Sequence, residues 1–496
     1  MNSEIEKKRF SIRPLFILMG CMMVLLFVFS VPARSAASIS SGDLIKGPTA
    51  AVYYYGQNGK RFVFPNSKTY FTWYSNFSTV KIITADELAA IPLGGNVTYR
   101  PGFKLVKITT DPKVYAVSAY GTLRWVKTEE VAQSLHGTDW NKKIDDIPDA
   151  FFVNYAAGAD IATTSDFSPT GELAAVGDIN TDKKITAVPP LKTLAEKRGI
   201  RFGSMYQSYF RSDLYDKIFE TEMNLMTAGI YWTDGSRPSR TEFDFSDMDA
   251  RVNFGLASGM EIHGHPLVWF DEMPDWVKAL PTSAVQTVMN EHIDTVVGRY
   301  KGKVKLWDVV NEAVNDETGT LRQGHKWAEA MGDDYIRKAF IRARAADPNA
   351  ILRYNDYLLE SDTAKYNGVK ALLIKLKSQA VSVQALGWQM HVKPQSFDPD
   401  TWLTRLDEIA DLGFDNYVTE LDVELPENAT ASDYEAQKQT FKLVVETFLK
   451  ARRHKTIVVW GMRDSDPYWL TKVHPTLFDE NLRKKPAYFG VQEALK

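Results

Sequence analysis

The sequence predicts an α/β protein, a (β/α)8 barrel preceded by a small β-rich duplicated module and an N-terminal signal or anchor segment. Three observations carry this expectation. From Leu191 to Lys496 short apolar runs alternate with amphipathic helical stretches. Such alternation over about 300 residues suits a closed parallel barrel better than an open sheet. Polar residues gather at the C-terminal ends of those runs, where barrel enzymes place their chemistry. Upstream, one hairpin pattern occurs twice. At 496 residues the chain is too long for one ordinary core. We divide it into 1–37, a signal peptide or membrane anchor; 43–161, the module; 162–190, a linker; and 191–496, the barrel.

At the N-terminus Lys7, Lys8, Arg9 and Arg13 precede an uncharged run from Pro14 to Val31, followed by Ala33-Arg34-Ser35-Ala36-Ala37. A basic region, an apolar stretch and a small-residue site make a secretory signal. The run is also long enough to be kept as an anchor. Either way the basic flank stays in the cytoplasm and the remainder is exported, secreted or tethered. The one cysteine, Cys21, lies in this run. Leu18-Met19-Gly20-Cys21 is similar to a lipoprotein box, but apolar sequence continues well past it. Once the segment is removed, disulfides, cysteine-ligated zinc and cysteine nucleophiles are excluded.

The first hairpin copy runs from Val52 to Phe64, with two apolar strands around Asn58-Gly59, and the second from Val114 to Val126. Short helical signals follow at Thr84-Ala85-Asp86-Glu87-Leu88 and at Thr128-Glu129-Glu130-Val131-Ala132. A Thr-x-x-Glu spacing is a capping box. The rows of Tyr, Phe and Trp on these hairpins fill a small core by default, and contact with glycan or cell envelope is the competing use. Residues 162–190 are rich in Thr, Ser, Asp and Pro and read as a linker. Asp178-Ile179-Asn180-Thr181-Asp182 is similar to the start of a calcium loop, but Lys183 and Pro189 stand where Gly and a bidentate Glu are needed. No metal or other cofactor is implied.

With 44% hydrophobic and 24% charged residues the chain has the composition of a folded protein. A net charge of -3, from 59 basic and 62 acidic side chains, gives no basic surplus for nucleic acid and suits a neutral ligand. In the barrel region candidate strands are Glu261–Trp269, Leu306–Asn311, Leu352–Tyr354, Ala385–His391, Asn416–Leu421 and Ile457–Trp460. Helical stretches at Ser283–Arg299, Asp333–Ala346 and Ala431–Ala451 separate some of them. Charged and aromatic residues interrupt the strand ends at His263 to Trp269, Trp307 to Ala313, Gly387 to His391, Tyr417 to Asp422 and Val459 to Asp464. A carboxylate ending a buried strand is costly to desolvate, so it is either paired or functional. Glu312 or Glu420 alone reads as well as a structural ion pair; together, with Asn311 and an imidazole near, they point to catalysis.

These segments resemble glycoside hydrolase family 10, whose founding activity is endo-β-1,4-xylanase, from about Leu191 to Ala494. The resemblance runs through Gly264-His265-Pro266-Leu267-Val268-Trp269, Asp308-Val309-Val310-Asn311-Glu312-Ala313, Asn355-Asp356-Tyr357, Gln389-Met390-His391, Thr419-Glu420-Leu421-Asp422, Trp460-Gly461 and Lys485-Pro486-Ala487-Tyr488, in that order. It implies a retaining hydrolase of xylan or a related β-glycan, with two carboxyls about 5–5.5 Å apart. Glu312 then takes the acid/base position and Glu420 the nucleophile position. His391 hydrogen-bonds the nucleophile and Asp422 orients its ring. Asn311 donates to the sugar 2-hydroxyl. His265, Trp269 and Gln389 match positions around the cleaved sugar, and Trp460 and Trp469 an aromatic cage above it.

Two departures stand out. The family follows its second strand with Pro-Glu-Asn and then Met-Lys-Trp, where this chain has Ala228-Gly229-Ile230-Tyr231-Trp232; Phe270 replaces a common histidine. The glycone side therefore lacks sugar-binding donors. The resemblance leaves three readings: an active xylanase, a β-glycosidase of altered glycone specificity, and a non-catalytic glycan-binding or envelope protein on a degenerate barrel.

Overall fold

The computed structural model describes residues 39–187, 189–394, 396–466 and 473–496. The signal or anchor segment, 1–37, lies outside the described residues. Eight parallel strands form the barrel: β1 (Arg201–Met205), β2 (Leu225–Gly229), β3 (Glu261–His265), β4 (Leu306–Asn311), β5 (Ile351–Asp356), β6 (Ala385–Trp388), β7 (Asp415–Val423) and β8 (His454–Val459). Each pairs in parallel with the next, and β8 pairs with β1, so the sheet closes on itself. Closure satisfies the backbone groups that an edge strand would leave exposed.

Two expected strands are shorter than their apolar runs. The Glu261–Trp269 run ends at His265, because Pro266 has no N–H to offer the ladder, and pairing with β4 resumes at Val268–Trp269. The Ala385–His391 run breaks after Trp388, where Met390 takes φ +66, and His391–Val392 then pairs with β7. Both breaks turn side chains into the mouth of the barrel. The helices Thr282–Arg299, Asp334–Ala346 and Ala431–Lys450 lie within a residue of their sequence bounds and bury one face each on the sheet.

The duplicated module is two five-stranded sheets of the same topology. In the first, strands 44–46, 53–55, 61–63, 80–82 and 93–96 lie in the spatial order fourth, first, second, third, fifth. Strands 105–108, 115–118, 122–125, 144–147 and 156–157 repeat that order in the second. Duplication therefore extends well beyond the hairpins. Thr84 and Glu87 form a reciprocal cap, Thr84 N donating to Glu87 Oε2 at 2.6 Å and Glu87 N to Thr84 Oγ1 at 3.2 Å. At the second site Thr128 accepts from Val131 N at 3.3 Å, but a valine cannot return the bond.

The stretch expected as a linker is folded over much of its length. It holds helices Pro169–Ala175 and Ile179–Asp182, because Phe167, Val176, Ile179 and Ile185 are buried against the two repeats. Asn180 Oδ1 accepts from Gln57 N at 3.0 Å at the first hairpin turn. Asp182 accepts from Tyr120 N at 2.9 Å at the second, and from Thr98 Oγ1 at 2.9 Å between the repeats. The segment is a brace. Replacing Asp182 by Ala leaves the buried Thr98 hydroxyl and the half-buried Tyr120 amide without their acceptor, at a cost of about 1–3 kcal/mol. Hydrogen exchange at the Tyr120 amide is expected to speed up accordingly; wild-type protection would show that the brace is not holding the turn.

Candidate active site

The site lies at the C-terminal mouth of the barrel, where β4 ends on Asn311 and Glu312 follows. Glu312 takes φ +56, a left-handed conformation uncommon for a side chain of its size. Its backbone is fixed from three directions: Glu312 N donates to Asn355 O at 2.9 Å, Arg322 Nε donates to Glu312 O at 3.0 Å, and Ala313 N donates to Tyr354 OH at 2.9 Å. The turn aims the carboxyl at its neighbours. Trp269 Nε1 donates to Glu312 Oε2 at 2.9 Å and Gln389 Nε2 to Oε1 at 2.8 Å.

Glu420, on β7, joins the same network from the other end. Asn355 Nδ2 donates to Glu420 Oε1 at 2.7 Å and to Asn311 Oδ1 at 3.0 Å. Gln389 Nε2 lies 3.3 Å from that same Asn311 Oδ1. An unbroken run of side chains thus links the glutamates: Glu312, Gln389, Asn311, Asn355, Glu420. His391 Nε2 is 3.5 Å from Glu420 Oε2, and its Nδ1 is 2.8 Å from Asp422 Oδ2. His265 Nδ1 is 2.9 Å from Asp308 Oδ2 and 4.0 Å from Glu420 Oε1. The Trp460 ring meets His265 edge to face at 5.3 Å. Nine of the ten site residues expected from the sequence therefore converge, counting Glu312, Glu420, His265, Trp269, Asn311, Gln389, His391, Asp422 and Trp460. Trp469 lies outside the described residues.

The two glutamates differ electrostatically. Burial pushes the Glu312 carboxyl up to about 7, with the charges of Asp356 and Glu420 adding to it against the hydrogen bonds from Gln389 and Trp269. Such a group holds its proton near neutrality. Burial opposes charge on His391, but Asp422 and then Glu420 outweigh it and hold the ring well above the usual imidazole value. Burial likewise opposes charge on His265, whose value Asp308 and Glu420 raise. Arg353 donates to both oxygens of Asp308, at 2.6 and 2.8 Å, and holds that carboxyl below its ordinary range against burial.

Several contributors were not singled out from the sequence. Asn355 sits in a quoted motif, but its double donation across two strands appears only when β4, β5 and β7 are adjacent. Gly387 is needed beside it, since a Cβ there would fall 2.1 Å from Asn355 Oδ1. Asp356 is fully buried beneath Glu312, ion-paired to Lys365 Nζ at 2.9 Å and accepting from Tyr354 OH at 2.5 Å. Tyr231, in the stretch that departs from the family, turns its ring edge-on to His265 at 5.7 Å and lies 6.2 Å from Trp269. Phe270, the other departure, carries the Arg322 guanidinium over its ring at 4.6 Å.

A closed parallel barrel with two linked carboxyls at its mouth, one of them poised to keep a proton, defines a barrel glycoside hydrolase. Residues 190–494 match the model of glycosyl hydrolase family 10, and the chain belongs to that family. Endo-1,4-beta-xylanase B of Thermotoga neapolitana is 33% identical over 320 residues, which cover 62% of this chain and 92% of that protein. The crystal structure of native xylanase 10B from Thermotoga maritima superposes with a TM-score of 0.59 at 34% identity, covering 62% of this chain and 98% of that one. Xylanase 10B from Thermotoga petrophila RKU-1, solved with xylobiose, gives a TM-score of 0.59 at 34% identity, over 62% and 97% of the two chains.

The raised Glu312 value has a consequence for stability. Its folded value lies above its unfolded one, so the protonated carboxyl stabilises the fold fully below about pH 4.5, and that contribution is lost as pH rises toward 7. Glu312→Gln removes this loss. On passing from pH 5 to pH 8 the variant is expected to gain about 1–3 kcal/mol relative to wild type, read from denaturant midpoints of the barrel transition. Parallel pH profiles for the two proteins would show that Glu312 is not perturbed.

Proposed function

We propose that the barrel hydrolyses β-1,4-linked xylan or a closely related β-glycan by double displacement, with Glu312 as acid/base and Glu420 as nucleophile. The observation that carries this reading is the asymmetry within one network: Gln389 donates to Glu312, Asn355 donates to Glu420 and both amides meet at Asn311 Oδ1 between them, while burial and the charge of Asp356 push the Glu312 carboxyl up to about 7. In the first step Glu312 delivers its proton to the glycosidic oxygen as the bond to the anomeric carbon breaks. Glu420 attacks that carbon and a glycosyl-enzyme ester forms. In the second step Glu312, now a carboxylate, takes a proton from water; the water attacks the same carbon and releases Glu420, with retained configuration.

The neighbouring groups have roles in this scheme. Asn355 and His391 orient Glu420, and Asp422 orients His391. Asn311 Oδ1 already accepts two bonds, which leaves its Nδ2 to meet the sugar 2-hydroxyl. Trp269, His265 and Trp460 surround the cleaved sugar. Burial of His265 and Trp460 excludes water and strengthens each charge in the site. On the glycone side Tyr231 offers one phenol, while Ile230 is buried in the core, so grip on the distal sugar is weaker and rests more on ring stacking. The family relationship and the name of the Thermotoga neapolitana relative support xylan as substrate.

The basic and apolar N-terminal segment supports export of the enzyme, secreted or tethered, and N-terminal sequencing of the mature protein decides between the two. Exposed Phe71 and Phe77 support contact of the module with glycan or envelope, and loss of retention on insoluble xylan in the Phe71→Ala, Phe77→Ala protein would mark it.

Glu420→Ala is expected to lower kcat on xylan by at least about 10³, and Glu312→Ala to do so on xylan but far less on an aryl β-xyloside with an acidic phenol. In wild type kcat/KM should fall as pH rises past about 7. An inverted product by NMR, or near-wild-type turnover in Glu420→Ala, overturns the mechanism. Xylotriose and aryl β-xyloside should differ little in kcat/KM; a strong advantage for xylotriose overturns the weakened glycone side.

A further inference from the structure

The first repeat of the module is seated against the barrel's closing segment. Glu87 Oε1, in the helix Ala85–Ala89, lies 2.5 Å from Arg483 Nη1, both groups being largely withdrawn from solvent. At the hairpin turn of the same repeat, Gly59 takes φ +73 and approaches the Phe489 ring so closely that a Cβ would fall 2.3 Å from it. Between these points the Tyr55 hydroxyl is buried within the fields of Arg483 and Asp479, burial pushing it up to about 12. The contact is therefore an ion pair flanked by close packing. Among the described residues it has no counterpart in the second repeat, whose Tyr120 amide at the turn donates to Asp182 instead.

What Arg483 belongs to gives this contact its meaning. Arg483 N donates to Asp479 Oδ1 and Asp479 N to Arg483 O, both at 2.9 Å. Phe478, next in the chain, forms β-bridges to both Lys484 and Arg463, donates to Met462 O at 3.2 Å and accepts from Asp464 N at 3.0 Å. Asp464 in turn takes Lys485 Nζ and Thr476 N at 2.8 and 2.9 Å. Residues 461–464 and 476–485 are thus one stitched unit, and the chain enters it directly from Trp460, the ring that meets His265.

We propose that the first repeat is a positioning element for the barrel site, holding through Glu87 the unit that sets Trp460 above the cleaved sugar and seating through Gly59 on the helix that directly follows that unit. Glu87, Gly59 and Arg483 touch no substrate and act through that unit. The effect on turnover rests on the hydrolase reading above, whereas the clamp itself does not. The matched barrel relatives cover about the barrel's share of this chain, so these module residues have no equivalent in the matched region.

Charge exchange in the full-length protein tests the clamp. Glu87→Arg and Arg483→Glu are each expected to raise KM for xylo-oligosaccharides by about 3–10-fold with kcat within about two-fold, and the double exchange to restore KM. Hydrogen exchange over 473–485 is expected to rise in each single variant and recover in the double, with the Glu312 and Glu420 strand ends unchanged. Gly59→Leu, pressing on Phe489, should reproduce both effects without touching the ion pair. Wild-type exchange over 473–485 in all three variants overturns the proposal, and so does altered exchange with unchanged KM in an active enzyme. If wild type hydrolyses no β-1,4-glycan while the exchange pattern follows these expectations, the hydrolase reading fails and the clamp stands.

Discussion

Two carboxyl groups set in one poorly hydrated site cannot both carry charge cheaply, and the rest of the barrel mouth is organised around that constraint. Each carboxylate raises the cost of ionising the other, more steeply as water is withdrawn. The site resolves the conflict by unequal surroundings. Glu420 takes an amide donor from Asn355 and lies beside the cationic His391. Glu312 has an indole and an amide for partners and the buried Asp356 beneath it. Neutral donors stabilise a carboxylate less than a cation does, so they offset little of the burial that pushes the Glu312 carboxyl up. Asp308 serves the same division. Its bidentate Arg353 keeps it charged, and it can then hold His265 beside Glu420.

That arrangement needs backbone as well as charge. Glu312 and Met390 both hold positive φ at strand ends, conformations costing of order 1–3 kcal/mol each. Such strain persists only where the surroundings over-determine it. At Glu312 the three backbone bonds from Asn355, Arg322 and Tyr354 supply that support, and Arg322 is itself held by Asp316 Oδ1 at 2.6 Å and by the Phe270 ring. The Phe270 departure is therefore compensated on the structural side: the ring that replaces a common histidine seats the arginine that props the Glu312 turn.

Reading the sequence recovered the barrel because its signal is local. Apolar strands and amphipathic helices announce themselves within a dozen residues, and polar residues at strand ends mark the mouth. Glu312 and Glu420 stood out as charges interrupting apolar segments, but either alone read equally well as an ion pair, and the order of the family's motifs singled out the two together. Lys365 was not. It lies inside a helix of the outer layer that also carries Lys370, Lys375 and Lys377, and only the closed fold reveals that its ammonium, fully buried, reaches Asp356. Asn355 was visible as a motif but not as the donor joining two strands. The brace at 178–182 was misjudged for a related reason. Its Asp, Asn and Thr residues have the composition of a loop, yet their acceptors are spent on hairpin turns more than fifty residues away in sequence.

The module's close seating follows from its size. Each repeat has only a few buried apolar side chains, divided among several small clusters, and cores this small bury too little surface to offset chain entropy comfortably. Sharing surface is the remedy. The brace joins the repeats to each other, and Gly59 lets the first repeat close against Phe489, part of a helix whose residues are nearly all buried. A bulkier turn residue would hold the two surfaces apart, exposing the Arg483 and Glu87 charges to water and weakening their pairing. The same packing that compensates for a small core thus places an ion pair on the unit that follows Trp460, and stability of the module and geometry of the site come to depend on one shared surface.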